Sequence, residues 1–176
     1  GASRGLGAAI AERLAADGFH VIAVARREGA AAERITPVAF DLADTAAMPE
    51  FVRGLRQRFG PIYGLVNNAG LGTEGLLANM PDADIEALIR LNTLSPIVLR
   101  GMMAQGRGRV VNMSSIVASN GFNALSVYSA TKASLLGFTR SLAREVGRVG
   151  VTVNAIAPGF IDTEMTKGLG EKDRER

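Results

Sequence analysis

Helical stripes and short apolar runs alternate along this chain, and that alternation leaves few architectures open. Leu6, Ile10 and Leu14 repeat at helical spacing after a turn at Gly1 to Gly7, and Gly18 ends the helix before the apolar run Val21 to Ala25. Met48, Phe51, Val52, Leu55 and Phe59 mark a second helix, stopped by Gly60-Pro61 ahead of a strand from Ile62 to Val66. Ile85, Leu88 and Ile89 give a third stripe, and Arg109 to Met113 a strand. Leu135, Leu136, Leu142 and Val146 mark another helix, and Val151 to Ile156 a last strand. A helix between successive strands favours parallel pairing, so the expected fold is α/β, a parallel sheet covered by helices on both faces. No repeat, low-complexity tract or linker interrupts the 176 residues, which predicts one domain over 1–176.

Composition removes several function classes. A hydrophobic content of 47% is enough for a sizeable core. The absence of cysteine excludes disulfides and thiolate metal sites, and a single histidine, His20, offers no imidazole cluster, so no metal site is expected. Redox chemistry would have to use a bound organic cofactor. Twenty basic residues against 17 acidic ones leave a scattered surplus of +3, and 7 Phe and 2 Tyr give little stacking surface, so no nucleic-acid partner is expected. No apolar run reaches the length of a membrane span, and the glycine-rich start does not read as a secretory leader. The expectation is a cytoplasmic protein with no membrane partner.

Several features could carry chemistry. Gly1, Gly5 and Gly7 are spaced G-x-x-x-G-x-G directly before a helix, where glycines allow close approach to a pyrophosphate and free helix amides attract its charge. A glycine turn of this kind also occurs with no ligand at all. Arg26 follows the Val21 to Ala25 strand at the place where dinucleotide-binding folds put an acid for the adenosine ribose. With Arg4 in the turn and Arg27 beside it, the pocket favours a 2′-phosphate and therefore NADP over NAD, the alternative being surface arginines at a strand end. Asn67-Asn68-Ala69-Gly70, after a strand, is on its own an amide-rich turn.

Asn92 continues the stripe of Ile85, Leu88 and Ile89, which places an amide on a buried face where it needs partners. Pro96 cannot donate to the carbonyl of Asn92, which would leave that carbonyl free for a water; a proline-kinked helix with a satisfied core asparagine fits these residues equally well. Tyr128 and Lys132 stand one helical turn apart on a stripe with Leu135, Thr139, Leu142 and Val146. Ser115 precedes the tyrosine by thirteen residues at a strand end. A tyrosine titrates near 10 unless its phenolate is favoured, and a lysine one turn away would favour it. An isolated pair of this kind is as readily a packed tyrosine beside a snorkelling lysine.

Taken together, these residues resemble the short-chain dehydrogenase/reductase family. The likeness runs through Gly1-x-x-x-Gly5-x-Gly7, Asp41-Leu42, Asn67-Asn68-Ala69-Gly70, Ser115, Tyr128-x-x-x-Lys132 and Asn154-Ala155-Ile156-Ala157-Pro158-Gly159. The resemblance implies a Rossmann-type doubly wound parallel sheet and a catalytic tetrad of Asn92, Ser115, Tyr128 and Lys132. In it Tyr128 is the general acid for reduction, Ser115 binds the substrate oxygen, Lys132 lowers the tyrosine pKa and grips the nicotinamide ribose, and Asn92 holds a relay water. It further implies NADP(H) contacts from Gly1, Ser3, Arg4, Gly5, Leu6, Gly7, Arg26, Asp41, Leu42, Asn68, Ala69, Gly70, Tyr128, Lys132, Pro158, Gly159, Ile161 and Thr163.

Within the family, Ser141-Leu142-Ala143-Arg144-Glu145 and Pro158 to Met165 look most like 3-oxoacyl-acyl-carrier-protein reductases. This implies NADPH-dependent reduction of a 3-oxoacyl thioester in fatty acid biosynthesis, acyl carrier protein as a partner, and a homo-oligomer, dimer or tetramer. Arg107 and Arg148 are the arginines that would meet an acidic carrier. The alternatives are another small ketone, a sterol, sugar or aromatic, or an NADP-binding redox sensor without catalysis. Relative to the family pattern the first strand and the C-terminal lid and last strand are missing, and the helix after Asn92 is short. The residues therefore read as part of a longer protein.

Overall fold

The computed structural model describes residues 1–73, 75–93 and 99–162, which fall into two compact units. The first, built by Gly1–Asp41 with the segment from Pro158, contains α1 (Gly5–Ala16), β1 (Val21–Ala25) and β2 (Ile35–Ala39). The two strands pair in parallel from Val21 opposite Ile35 to Ala25 opposite Ala39, and α1 packs on them. α1 meets its neighbours through Gly7, Ala11 and Ala15, while Leu6, Ile10 and Leu14 are only half-buried. The buried line thus runs one position along from the predicted stripe, because small residues let the helix axis approach the strands. β2 has no counterpart among the sequence expectations. Its Pro37 interrupts the alternation and lacks a donor, as a strand on an edge tolerates.

The second unit, Leu42–Ala157, holds α2 (Met48–Phe59), β3 (Gly64–Asn67), α3 (Asp82–Thr93), α4 (Leu99–Gln105), β4 (Gly108–Met113), α5 (Val117–Asn120), α6 (Ser126–Val146) and β5 (Val151–Ile156). Its three strands pair in parallel in the order β3-β4-β5, with Asn67 opposite Asn112 and Asn112 opposite Ala155. α6, 21 residues and about 30 Å long, packs across β4 and β5, and α3 packs against α6. Leu88, Met102, Val110 and Val151 are fully buried around this seam.

The pairing is parallel throughout, as expected, and among the described residues it forms a two-stranded and a three-stranded ladder; the strand that leads into the glycine turn of a doubly wound sheet is not among them. Among the described residues Val151 and Val153 of β5 are buried, while Thr152, Asn154 and Ile156 are exposed. That strict alternation marks a half-buried strand. The predicted α3 stripe is narrower, with Leu88 and Asn92 buried but Ile89 51% exposed.

Candidate active site

In a parallel α/β sheet the loops at the carboxyl ends of the strands face the ligand, and both units carry the sequence-predicted residues there. In the first unit the chain from Gly1 is pinned beside β1, with the nitrogens of Gly1 and Ala2 donating to the Val24 carbonyl at 2.7 and 3.1 Å. Arg4 is extended and gives α1 no side-chain cap, and no acid occupies the first helical turn. Gly5 takes φ 54°, a left-handed value that favours glycine and aims the turn into the helix. The start of α1 therefore offers backbone amides and its positive dipole end to an anion. Arg26 and Arg27 follow β1 and are exposed, and Asp41 lies two residues beyond β2 at the same carboxyl edge. Ser3 sits in the turn before α1, and Leu6 in the first turn of the helix. Pro158, Gly159 and Ile161 are also placed in this unit; Thr163 lies outside the described residues.

The second unit brings Asn92, Ser115, Tyr128 and Lys132 together from α3, the end of β4 and α6. Lys132 is only 5% exposed, and its Nζ donates to the Met113 carbonyl at 2.8 Å. One residue along β4, the Ser114 hydroxyl donates to the Lys132 carbonyl at 2.8 Å. These two bonds fasten the first turns of α6 to the end of β4. The ammonium lies 5.6 Å from the centre of the Tyr128 ring, and Ser115 is close enough to the phenol to favour its charged form.

The electrostatics differ from the sequence expectation. Burial raises the Tyr128 pKa above 10, and Ser115 only partly counters it. Lys132 is not what pulls the phenol down, because its Nζ is directed at Met113 and lies over the ring rather than at the oxygen. Burial also lowers the Lys132 pKa, from 10.5 to about 8. The phenol is thus held protonated at neutral pH, while the lysine is brought close to it.

Asn92, 5% exposed, has its side chain fully engaged. Its Oδ1 accepts from the Leu71 N–H at 2.9 Å, and its Nδ2 donates to the Leu71 carbonyl at 3.1 Å and to Thr131 Oγ1 at 3.0 Å. The buried amide has the partners that its position on the stripe demanded. Pro96, on which the free-carbonyl reading rests, lies outside the described residues. Gly70 closes the back of the cluster: a Cβ there would stand 3.2 Å from Asn92 Oδ1 and 3.4 Å from Lys132 Nζ. The turn Asn68-Ala69-Gly70 follows β3 directly, and Leu42 lies further back, ahead of α2.

Sequence reasoning missed Thr131, Ser114 and Asn112. Asn112 is fully buried, accepts from Asn67 Nδ2 at 2.7 Å and donates to Thr139 Oγ1 at 2.8 Å. The signal was present, since Asn112 alternates with Val110 on the face of β4 beneath α6 and Thr139 stands on the buried stripe of α6. Arg107 and Arg148, expected beside a carrier, are placed otherwise. They precede β4 and β5, at the amino ends of the strands, whereas Ser115 follows the carboxyl end of β4. Six residues of strand put roughly 17 Å between the two ends. Arg107 instead lies over the Tyr63 ring, 5.9 Å from its centre.

Comparison with known proteins agrees with the motifs. Residues 1–174 match the family described as short chain dehydrogenase. The 3-oxoacyl-[acyl-carrier-protein] reductase FabG of Vibrio harveyi is 42% identical over 187 residues, spanning 99% of this chain and 76% of its own length. FabG of Escherichia coli K12 is 40% identical with the same coverage, and MabA of Mycobacterium bovis 37% identical over 98% of this chain and 71% of its own. Among solved structures, a short-chain dehydrogenase from Streptomyces avermitilis aligns with a TM-score of 0.87 at 33% identity, over 94% of this chain and 65% of that one. A gluconate 5-dehydrogenase from Burkholderia cenocepacia, solved with NADP and tartrate, aligns with a TM-score of 0.90 at 29% identity, over 96% and 72%. With the all-parallel pairing, these likenesses make the fold the Rossmann-type α/β arrangement that the motifs implied. The chain belongs to the short-chain dehydrogenase family.

Proposed function

We propose that this chain is the NADP-binding catalytic domain, residues 1–176, of a reductase that converts a 3-oxoacyl thioester to a 3-hydroxyacyl thioester at the expense of NADPH. The observation that carries the reading is the buried Lys132 ammonium, bonded to the Met113 carbonyl at the end of β4 and 5.6 Å from the centre of the Tyr128 ring, with Ser115 beside the phenol. The relatives at 37–42% identity are named 3-oxoacyl-[acyl-carrier-protein] reductases, which supports acyl carrier protein as the carrier of the substrate and fatty acid synthesis as the setting. A cytoplasmic homo-oligomer, dimer or tetramer, completes the proposal. Among the described residues, no helix is long and apolar enough to cross a membrane.

The residues present fit the cofactor. The uncapped start of α1 with Gly1, Ser3, Gly5, Leu6 and Gly7 suits a pyrophosphate, Arg4 and Arg26 suit a 2′-phosphate, and Asp41 and Leu42 suit the adenine. Asn68, Ala69, Gly70, Pro158, Gly159, Ile161 and Thr163 would complete the contacts, and Gly70 keeps space clear before Lys132. Bound NADPH would supply the hydride for the carbonyl carbon. The Tyr128 phenol, kept protonated by its burial, gives its proton to the carbonyl oxygen, and Ser115 turns its hydroxyl to the same oxygen. Lys132 would grip the nicotinamide ribose, and Asn92 would hold the relay water that returns the proton. The likeness to a gluconate 5-dehydrogenase keeps a polyhydroxy ketone as the second substrate class.

NADPH oxidation by the full-length protein, assayed with acetoacetyl thioesters and a panel of unrelated ketones, tests this reading. Turnover should be fastest on the thioester, and Tyr128→Phe should lose at least about 100-fold in kcat, the lower range for a positioned proton donor. Binding of NADPH without its oxidation on any ketone would favour a sensor instead. Arg26→Glu should shift the NADPH to NADH preference at least about tenfold toward NADH, since a charge-assisted phosphate bond is worth about 1.5–3 kcal/mol; an unchanged ratio contradicts the 2′-phosphate assignment. Lys132 supplies a pH test of its own. Its folded pKa of about 8 lies below the unfolded 10.5, so the burial cost is fully present below pH 8 and is relieved as pH rises from 8 to 10.5. The unfolding free energy of the wild type should therefore rise relative to Lys132→Met across that window; a pH-independent difference contradicts the desolvated lysine.

A further inference from the structure

Thr131 stands between the two motif residues of α6, 4% exposed, and uses both faces of its hydroxyl. Its O–H donates to the Tyr128 carbonyl at 2.8 Å, and its oxygen accepts from Asn92 Nδ2 at 3.0 Å. A hydroxyl has one proton, and here it is spent on the turn that carries the tyrosine, so only a lone pair faces α3. That polarity fixes which end of the Asn92 amide points to α6. The opposite end is then set against Leu71, where Oδ1 accepts the N–H at 2.9 Å and Nδ2 reaches the carbonyl at 3.1 Å. Leu71 directly follows Gly70, where a Cβ would stand 3.4 Å from Lys132 Nζ, so this backbone borders the ammonium. These neighbours form a ring: Thr131 to Asn92 and Asn92 to Leu71 by hydrogen bonds, Gly70 to Lys132 by proximity, and Lys132 back to Thr131 through one peptide bond. A β-branched residue early in a helix costs about 0.5 kcal/mol relative to Ala, so helix propensity does not account for threonine at this position.

We infer that Thr131 is a positioning residue whose hydroxyl sets the Asn92 amide and, through Leu71 and Gly70, the wall in front of the Lys132 ammonium. The inference rests on the proposed roles of Tyr128 and Lys132. Removing the hydroxyl opens the ring at one bond and leaves Asn92 Nδ2 with only the Leu71 carbonyl, while the methyl-sized packing is kept in valine. The reacting groups then hold their places less well, and small displacements at such sites are costly in rate.

The test compares Thr131→Val, Thr131→Ser, Asn92→Ala and the Asn92→Ala/Thr131→Val double variant of the full-length protein, with Tyr128→Phe alongside. Thr131→Val should lower kcat about tenfold while NADPH affinity stays within about twofold, and Thr131→Ser should restore kcat to within about twofold of wild type. The double variant should be no slower than Asn92→Ala. If valine destabilises the fold in thermal unfolding, Thr131→Ala carries the same expectation. A wild-type kcat in both hydroxyl-free variants, a serine variant as slow as valine, or multiplying losses in the double variant would each overturn the inference. An inactive Tyr128→Phe with a fully active Thr131→Val removes the Thr131 inference alone. A fully active Tyr128→Phe removes the catalytic reading and this inference with it.

Discussion

The fastening of α6 to the end of β4 governs this site. Lys132 donates its ammonium to the Met113 carbonyl, and the neighbouring Ser114 hydroxyl donates to the Lys132 carbonyl, both at 2.8 Å. The first bond gives the buried ammonium a partner; the second registers the helix along the strand. With the lysine held there, the tyrosine one turn earlier is placed beside Ser115, which leaves the strand only two residues after Met113. Breaking one partner of such a buried charge costs more than the bond itself contributes, because the remaining charge is left uncompensated. The arrangement is thus rigid by necessity and costly to hold, which is what a site that must place a proton donor requires.

Polar groups line the seam between α6 and its neighbours, and the amides among them are paired, while the buried Ser129 Oγ of α6 has no partner. Asn67, Asn112 and Thr139 connect β3, β4 and α6, and Leu71, Asn92 and Thr131 connect the β3 loop, α3 and α6. Each amide would cost about 1–3 kcal/mol if left without a partner. Satisfied in this way, they specify one register between the helices and the sheet, where an apolar seam would tolerate sliding. Fold and site share this network, so a substitution in it acts on stability and geometry together.

Much of this was legible in the sequence. The α6 stripe from Lys132 to Val146 is buried as its spacing required, and Val151 to Ile156 forms a strand with those bounds. Side-chain types and periodicity were sufficient there because long segments carry many consistent signals. β2 escaped notice because Pro37 breaks its pattern in five residues, and the buried line of α1 was misjudged because glycine and alanine carry no hydrophobic signal. The motif residues of the site were legible by resemblance, whereas their electrostatics were not. Spacing puts a lysine one turn from a tyrosine, but only the three-dimensional arrangement shows that its nitrogen is committed to Met113 and that burial sets the direction of the phenol's shift. Arg107 and Arg148 are a different case, since their places just before β4 and β5 in the sequence already put them at the amino ends of those strands, away from Ser115.

The central claim is that this site moves a hydride to a carbonyl carbon while Tyr128 protonates the oxygen. Its most direct test is isotopic: the full-length protein is incubated with a 3-oxoacyl thioester and NADPH carrying deuterium at both C4 positions, and the product is analysed by mass spectrometry. The account predicts a 3-hydroxyacyl thioester with one deuterium on its carbinol carbon. A product carrying no deuterium there, or no reduced product from any ketone offered, would contradict it.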